Sequence, residues 1–291
     1  MRRIRDRIQA VEPAWSTGVY EGVGATVMAI ITISRGTYGG IENLAKHLSQ
    51  TLGYRLLSRE ELLSDSAEQF GASENQLESA LKYRPSFLEG RGMKKLHYIY
   101  CVQATLAKAV QGDNIVYHGH AGNVLLKEVP HHLRVRAVAN MEYRIETVME
   151  QCQFTHEKAV EYIRELDQDR DNWVKWVYGV EADDPHGYDI VVNLERLPVE
   201  SAAAIIAETA RRDFRTTPES QTALDDLVIA SEARARIGLD RGISDDRVEI
   251  EAHDGIVTIT THVRSLPYED RILELIGQLP GVKDIRFEIA D

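Results

Sequence analysis

The sequence predicts an α/β fold, a parallel five-stranded sheet with helices on both faces, followed by a small α+β unit. Three observations carry this. Short β-branched or apolar runs alternate with amphipathic stretches through the first two thirds of the chain, the pattern of strand–helix–strand units. There are five such runs, and a parallel sheet of that size needs a helical layer on each side. Beyond Thr216 the pattern changes to strict apolar/polar alternation around Asp254-Gly255, a strong hairpin turn.

The elements follow in order. Ala29–Ser34 reads as the first strand and the stretch to Leu52 as an amphipathic helix. Tyr54–Leu57 reads as the second strand. Ser58 caps the next helix, with Glu60 and Glu61 in the first turn where the helix dipole favours acids. Ser73-Glu74-Asn75-Gln76 is a capping-box pattern that starts another helix, and Met93–Val110 is a long one, ended by Gly112-Asp113. Ile115–Tyr117 is the third strand and Leu133–Ala139 the fourth. Met141–Gln151 is a helix, and Thr155 caps one that runs to about Trp176. Ile190–Leu194 is the fifth strand and Val199–Arg212 the last helix of this part. The small unit begins with a helix over Glu219–Ile237. Val248, Ile250 and Ala252 form a strand, Val257, Ile259, Thr261 and Val263 its partner. A helix over Tyr268–Leu279 and a strand over Val282–Ile289 complete an α-β-β-α-β order.

The bulk properties set bounds. A formal net charge of −12 argues against general nucleic-acid binding, which needs a basic footprint. From Pro218 onward there are 16 acidic and 8 basic residues, a net of −8, which leaves −4 for the longer first part. That asymmetry places a domain boundary near 216, giving an extension over 1–27, a domain over 28–215 and a second over 216–291. Two cysteines, Cys101 and Cys152, make no disulfide framework and have no metal-ligand spacing, so a reduced, cytoplasmic setting is expected. No apolar run reaches the roughly 18 residues of a membrane span. The extension carries Arg2, Arg3, Arg5 and Arg7, read as a solvated tail in which no fold is expected.

Chemistry concentrates in the stretch Ser34-Arg35-Gly36-Thr37-Tyr38-Gly39-Gly40. It joins a buried strand to a helix N-terminus through a Gly-rich turn, where backbone N–H groups and the positive end of a helix dipole converge, as an anion requires. A full phosphate loop ends in Gly-Lys-Ser/Thr, whereas Ile41-Glu42-Asn43 enters the helix here. A second turn, His118-Gly119-His120-Ala121-Gly122, follows the third strand. Two histidines spaced by two suit a metal pair, but no third ligand is evident and no metal site is expected. Arg164, Asp167, Asp169 and Arg170 sit within two turns of one helix, as a solvated face of i,i+3 and i,i+4 pairs or as phosphate contacts. Trp173 and Trp176 on that helix are read as packing residues. Arg134 and Arg136 share one face of the fourth strand.

The segments ITISRGTYGG, NIVYHGHAGNVLL, HHLRVRAVANMEYRIETVM, RELDQDR and DDPHGYDIVVNLERL, in that order, resemble the cytidylate kinase-like proteins, P-loop relatives of the nucleoside monophosphate kinases. The resemblance covers about Met28 to Arg212. The tail, with DGIVTITTHV and LPGVKDIRFEI, resembles a BON domain, a module associated with membrane-surface, phospholipid or ligand binding. The resemblance implies a P-loop NTPase-like sheet and transfer of a phosphoryl group from ATP, with Mg²⁺ bridging phosphates, to a nucleoside monophosphate such as CMP. It puts donor phosphates at Ser34, Arg35, Gly36, Thr37, Tyr38, Gly39 and Gly40. The acceptor falls at His118, Gly119 and His120, with Asp189 beside the base. Asp167, Arg170 and Arg164 fall on a lid-like helix where an arginine closes over the transferred group. Two departures stand out: Ile41-Glu42 replaces a Gly-Lys, putting an anion where a cation is usual, and His120 stands where an arginine is common. The alternative is a non-catalytic nucleotide sensor or scaffold that works through its BON-like module on a protein or small ligand.

Overall fold

The computed structural model describes residues 29–35, 40–82, 92–240, 243, 248–261 and 268–290. The extension over 1–27 and the loop positions Gly36, Thr37, Tyr38 and Gly39 lie outside the described residues. Five parallel strands form the main sheet: β1 (Ile30–Arg35), β2 (Arg55–Ser58), β3 (Ile115–Gly119), β4 (His132–Val138) and β5 (Ile190–Asn193). They lie in the order β2-β3-β1-β4-β5. Register follows the apolar residues: Ile31 pairs with Val116 on one side and Leu133 on the other.

Helices cover both faces. On one lie α1 (Ile41–Leu52) and α8 (Val199–Asp213), whose Leu44, Leu48, Ala203 and Ile206 pack on Ile31, Ile33, Val116 and Val135. On the other lie α2 (Arg59–Phe70), α3 (Glu74–Lys82), α4 (Gly92–Val110) and the four-residue α5 (Gly122–Leu125), with the last turns of α7 (His156–Tyr178). Their core contains Leu62, Leu77, Leu106, Tyr117 and Trp173. The helix α6 (Met141–Cys152) pairs with the first half of α7 through a separate small core of Ile145, Val148, Ala159 and Ile163.

The expected caps form. Ser58 Oγ accepts from Glu61 N at 3.1 Å and Thr155 Oγ1 from Lys158 N at 3.4 Å. Ser73 and Gln76 make the reciprocal capping box, at 3.3 and 3.0 Å. Two features were not foreseen: α5, and a 3-10 turn over Pro185–Gly187. Both are too short to show a hydrophobic period.

The C-terminal unit comprises α9 (Pro218–Leu239), β6 (Val248–His253), β7 (Ile256–Thr261), α10 (Glu269–Ile276) and β8 (Asp284–Ile289). β7 pairs antiparallel with β6 and parallel with β8. Asp254 and Gly255 both have positive φ, 51° and 79°, the turn geometry that matches strand twist. The carboxylate of Asp226, on α9, accepts both turn N–H groups at 2.8 Å. The helix α9 serves two cores at once. Leu224, Leu227 and Ala235 join the core around α4, while Ile229, Ala233 and Ile237 join Ile250, Val257, Ile259 and Ile272. Thr216, just before it, donates to the buried Asp113 carboxylate at 2.7 Å.

Candidate active site

The topology fixes where a ligand can enter. β1 and β3 are neighbours, but the chain leaves β1 toward α1 on one face and β3 toward α5 on the other. Two adjacent parallel strands whose connections part to opposite faces leave a crevice at their C-terminal ends. Two cavities open there, of about 570 and 520 Å³, and His120 and Arg170 line both.

The first cavity meets the start of α1. Gly40 precedes that helix with φ 76°, a left-handed conformation suited to glycine. A Cβ there would lie 3.4 Å from the Tyr143 hydroxyl. Gly40, Ile41, Glu42 and Asn43 line the cavity with Arg59, Lys82 and Arg170. These cations arrive from α2, α3 and α7. Arg59 donates to Glu78 at 2.8 Å. Glu42 is exposed on the first turn of α1.

The second cavity runs down the face of the sheet. Along β4 the odd positions Leu133, Val135 and Ala137 pack beneath α1 and α8, so Arg134 and Arg136 project to the other side and line it. The Arg136 guanidinium lies 5.4 Å from the centre of the Tyr188 ring and donates to the Ala182 carbonyl. The Tyr188 hydroxyl bridges that carbonyl, at 2.8 Å, and Ser34 Oγ, at 3.3 Å. At the strand ends Arg144 of α6 donates to both Asp167 oxygens, at 2.8 and 2.7 Å, clipping α6 to α7. Asp171 has its carboxyl raised above the usual range, first by burial, then by the Asp183 and Asp167 charges.

Each candidate among the described residues has a definite place. Ser34 and Gly40 line the second and first cavity respectively, and Arg35 ends β1. His120 and Arg170 stand where the cavities meet, His120 with its ring 4.7 Å from that of Trp173. Asp167 lines the second cavity but is engaged by Arg144. Arg164 is on the exposed face of α7 and lines neither cavity. His118 is buried, its side chain on the α1 face by strand alternation, and lines neither. Gly119 also lines neither, and packing explains it, because a Cβ would fall 2.2 Å from the Tyr117 hydroxyl. Asp189 is forked to Arg134, with oxygens 2.7 and 3.0 Å from the guanidinium and 2.9 Å from the Arg134 N–H. Burial alone would raise its carboxyl, yet those hydrogen bonds hold it below the usual range. Trp173 is a core residue, its indole N–H donating to the Ala80 carbonyl at 2.6 Å.

Sequence reasoning did not single out Arg59, Lys82 or Arg144. Each is an ordinary charged residue on an amphipathic helix, and only the packing of α2, α3 and α6 brings them together. The segment following β4, quoted above for its likeness to a family, was the one signal that contained Arg144.

The model of the cytidylate kinase-like family matches residues 30–196, more than half of the chain. The chain belongs to the cytidylate kinase-like family. The cytidylate kinase of Sulfurisphaera tokodaii is 26% identical over 177 residues, which cover 61% of this chain and 92% of that protein. Among solved structures, a protein from Eubacterium ventriosum has a TM-score of 0.48 at 17% identity, over 63% of this chain and 98% of its own. The shikimate kinase of Acinetobacter baumannii in complex with shikimate has a TM-score of 0.37 at 13% identity, over 62% and 92%. The assignment rests on the family match and not on these structures. The matched region contains every lining residue of both cavities and stops before α8. No helix among the described residues is long and apolar enough to cross a membrane.

Proposed function

We propose that this family member is a nucleotide kinase that moves the terminal phosphoryl group of ATP to a nucleoside monophosphate such as CMP. The observation that carries the reading is Arg170, a single guanidinium lining two cavities that meet at the strand ends. Phosphoryl transfer needs a cation between donor and acceptor, because charge on the transferred group is spread over oxygens that face both. An acceptor phosphate oxygen attacks the terminal phosphorus, the bond to the bridging oxygen breaks, and ADP leaves.

In this reading the donor phosphates lie at the Gly-rich stretch 34–40 and at the start of α1, a helix end that attracts anions. Arg59, Lys82 and Arg144 supply the remaining positive charge, and His120 closes the seam. Mg²⁺ brought with ATP would supply charge neutralisation at its phosphates. A cytoplasmic setting is part of the reading.

Glu42 supports a second reading. An exposed acid on the first turn of α1 opposes an anion at the same helix end. In that case the first domain binds nucleotide weakly without turnover, and the BON-like C-terminal unit is the working part, engaging a protein or small ligand. Coupled ADP release with CMP, UMP, AMP and GMP separates the two. Turnover with at least one acceptor is expected. No turnover with any of them, in folded protein, overturns the enzyme reading. Calorimetric ATP binding by Glu42→Lys where the parent shows none then favours the second.

A further inference from the structure

The second cavity has a direction. Arg144, Asp167, Val138 and Ala139 mark its upper end, at the C-terminal edge of β4, and His120 and Arg170 join it there to the first cavity. From that edge the lining follows β4 back toward Arg134, and α5 follows the same course from the end of β3 toward Lys127. Arg144 and Arg170 lie at the top, while lower down Arg134 is forked to Asp189 and Arg136 donates to the Ala182 carbonyl. Asn123 of α5 faces the Pro185–Gly187 turn across the lower part, its amide nitrogen 3.8 Å from where a Gly187 Cβ would lie. It is half-buried and is the one side-chain carboxamide in the lining. No hydrogen bond joins it to another described residue, in contrast to Arg134, Arg136, Arg144, Asp167 and Tyr188 around it. A carboxamide offers a donor and an acceptor side by side, the complement of a nucleobase edge.

We propose that Asn123 is a specificity-determining residue that reads the polar edge of a nucleobase whose phosphate lies at the Arg144–Arg170 end. The inference rests on the nucleotide-kinase reading and adds a residue to it. Gly187 contributes by leaving the space opposite the amide open. An Asn amide pairs with either an amino or a carbonyl edge by turning over. An aspartate at the same place only accepts, and so favours the 4-amino edge of cytosine over the 4-carbonyl edge of uracil.

The test uses the full chain and calorimetric titration with CMP, UMP, AMP, GMP and ribose 5-phosphate, which has the phosphate but no base. Asn123→Ala is expected to weaken the preferred nucleotide by ten-fold or more while leaving ribose 5-phosphate within two-fold. Asn123→Asp, nearly identical in shape, is expected to shift the CMP:UMP affinity ratio at least ten-fold toward CMP. Unchanged base ratios in both variants, with nucleotide binding intact, overturn the role of Asn123 and leave the kinase reading standing. A parent that binds none of these nucleotides, nor ATP, overturns the kinase reading itself. A loss of ribose 5-phosphate affinity equal to that of the nucleotides shows a collapsed cavity and also refutes base reading.

Discussion

Acid should loosen the floor of the second cavity through one buried histidine. His132 is enclosed at the start of β4, with Nε2 2.7 Å from Thr32 Oγ1 and Nδ1 3.0 Å from the Leu126 carbonyl. A carbonyl only accepts, so Nδ1 carries the hydrogen and Nε2 accepts from the threonine hydroxyl. The neutral ring thus ties β1, β4 and the end of α5 together, and Thr32 in turn packs under Gly122, the first residue of α5. Burial lowers its pKa to about 4; the Leu126 carbonyl opposes the shift and the Arg134 charge adds to it. The folded value lies below the unfolded value of 6.5, so the unfolded chain takes the proton first as pH falls. Stability from this group is therefore complete above about pH 6.5, declines between 6.5 and 4, and is exhausted below about 4. Linkage gives a loss of about 2 kcal/mol at pH 5 and about 3 kcal/mol in full. Urea unfolding of the parent and of His132→Asn at pH 7 and pH 5 reads this directly. The variant starts less stable, but its loss between the two pH values should be smaller than the parent's by about 2 kcal/mol. Equal losses in the two proteins would refute the argument.

Other outcomes follow from the same contacts. Arg170→Ala should lower kcat by roughly 10²–10³-fold, the scale of a lost charge-stabilising donor, while Arg164→Ala stays within two-fold in the coupled assay; equal effects would remove Arg170 from the transferred group. Gly119→Ala puts a methyl group against the buried Tyr117 ring and should cost about 1–3 kcal/mol in chemical unfolding; an unchanged midpoint would contradict the packing account of that glycine. Asp226→Ala strands two turn N–H groups and should destabilise the C-terminal hairpin by about 2–3 kcal/mol. Hydrogen exchange at Asp254 and Gly255 is the readout, and unaltered protection would mean that the turn holds itself.

The elements were legible because each has a local cause. Ser58, Ser73, Thr155 and Thr217 cap their helices through their own side chains, and Asp254-Gly255 sets its own turn. The site was legible only in part, because its parts are local and its pairing is not. Ser34 and Gly40 announce themselves by the strand–turn–helix around them. Nothing local shows that Asp189 is consumed by Arg134, 55 residues earlier, or that Asp167 is consumed by Arg144 on another helix. Gly119 illustrates the converse. Its turn reads as a ligand contact, yet the constraint comes from the Tyr117 ring folding over it, a contact that depends on the core beneath. The composition break near Thr216 falls just before α9. It does not show that α9 is shared between cores, since a helix with apolar residues on two faces has no clear stripe to read.

A chain with a net charge of −12 must still present a positive surface to a phosphate if the kinase reading holds. Arg59 on α2, Lys82 on α3, Arg144 on α6 and Arg170 on α7 line the pair of cavities, beside acids that include Glu42, Glu78, Asp169 and Asp171. Arg59 is paired with Glu78, and Arg144 with Asp167. Such pairing holds each guanidinium in position at little cost in the unliganded protein, because an unpaired, half-enclosed cation would repel its neighbours. It also means that an incoming phosphate competes with a carboxylate for each fork and gains less than the count of cations suggests. Selectivity then depends less on phosphate contacts, which any nucleotide can make, than on whatever reads the rest of the ligand. That shifts weight to the lower part of the second cavity, where Asn123 offers a hydrogen-bonding edge that the protein itself has not already used.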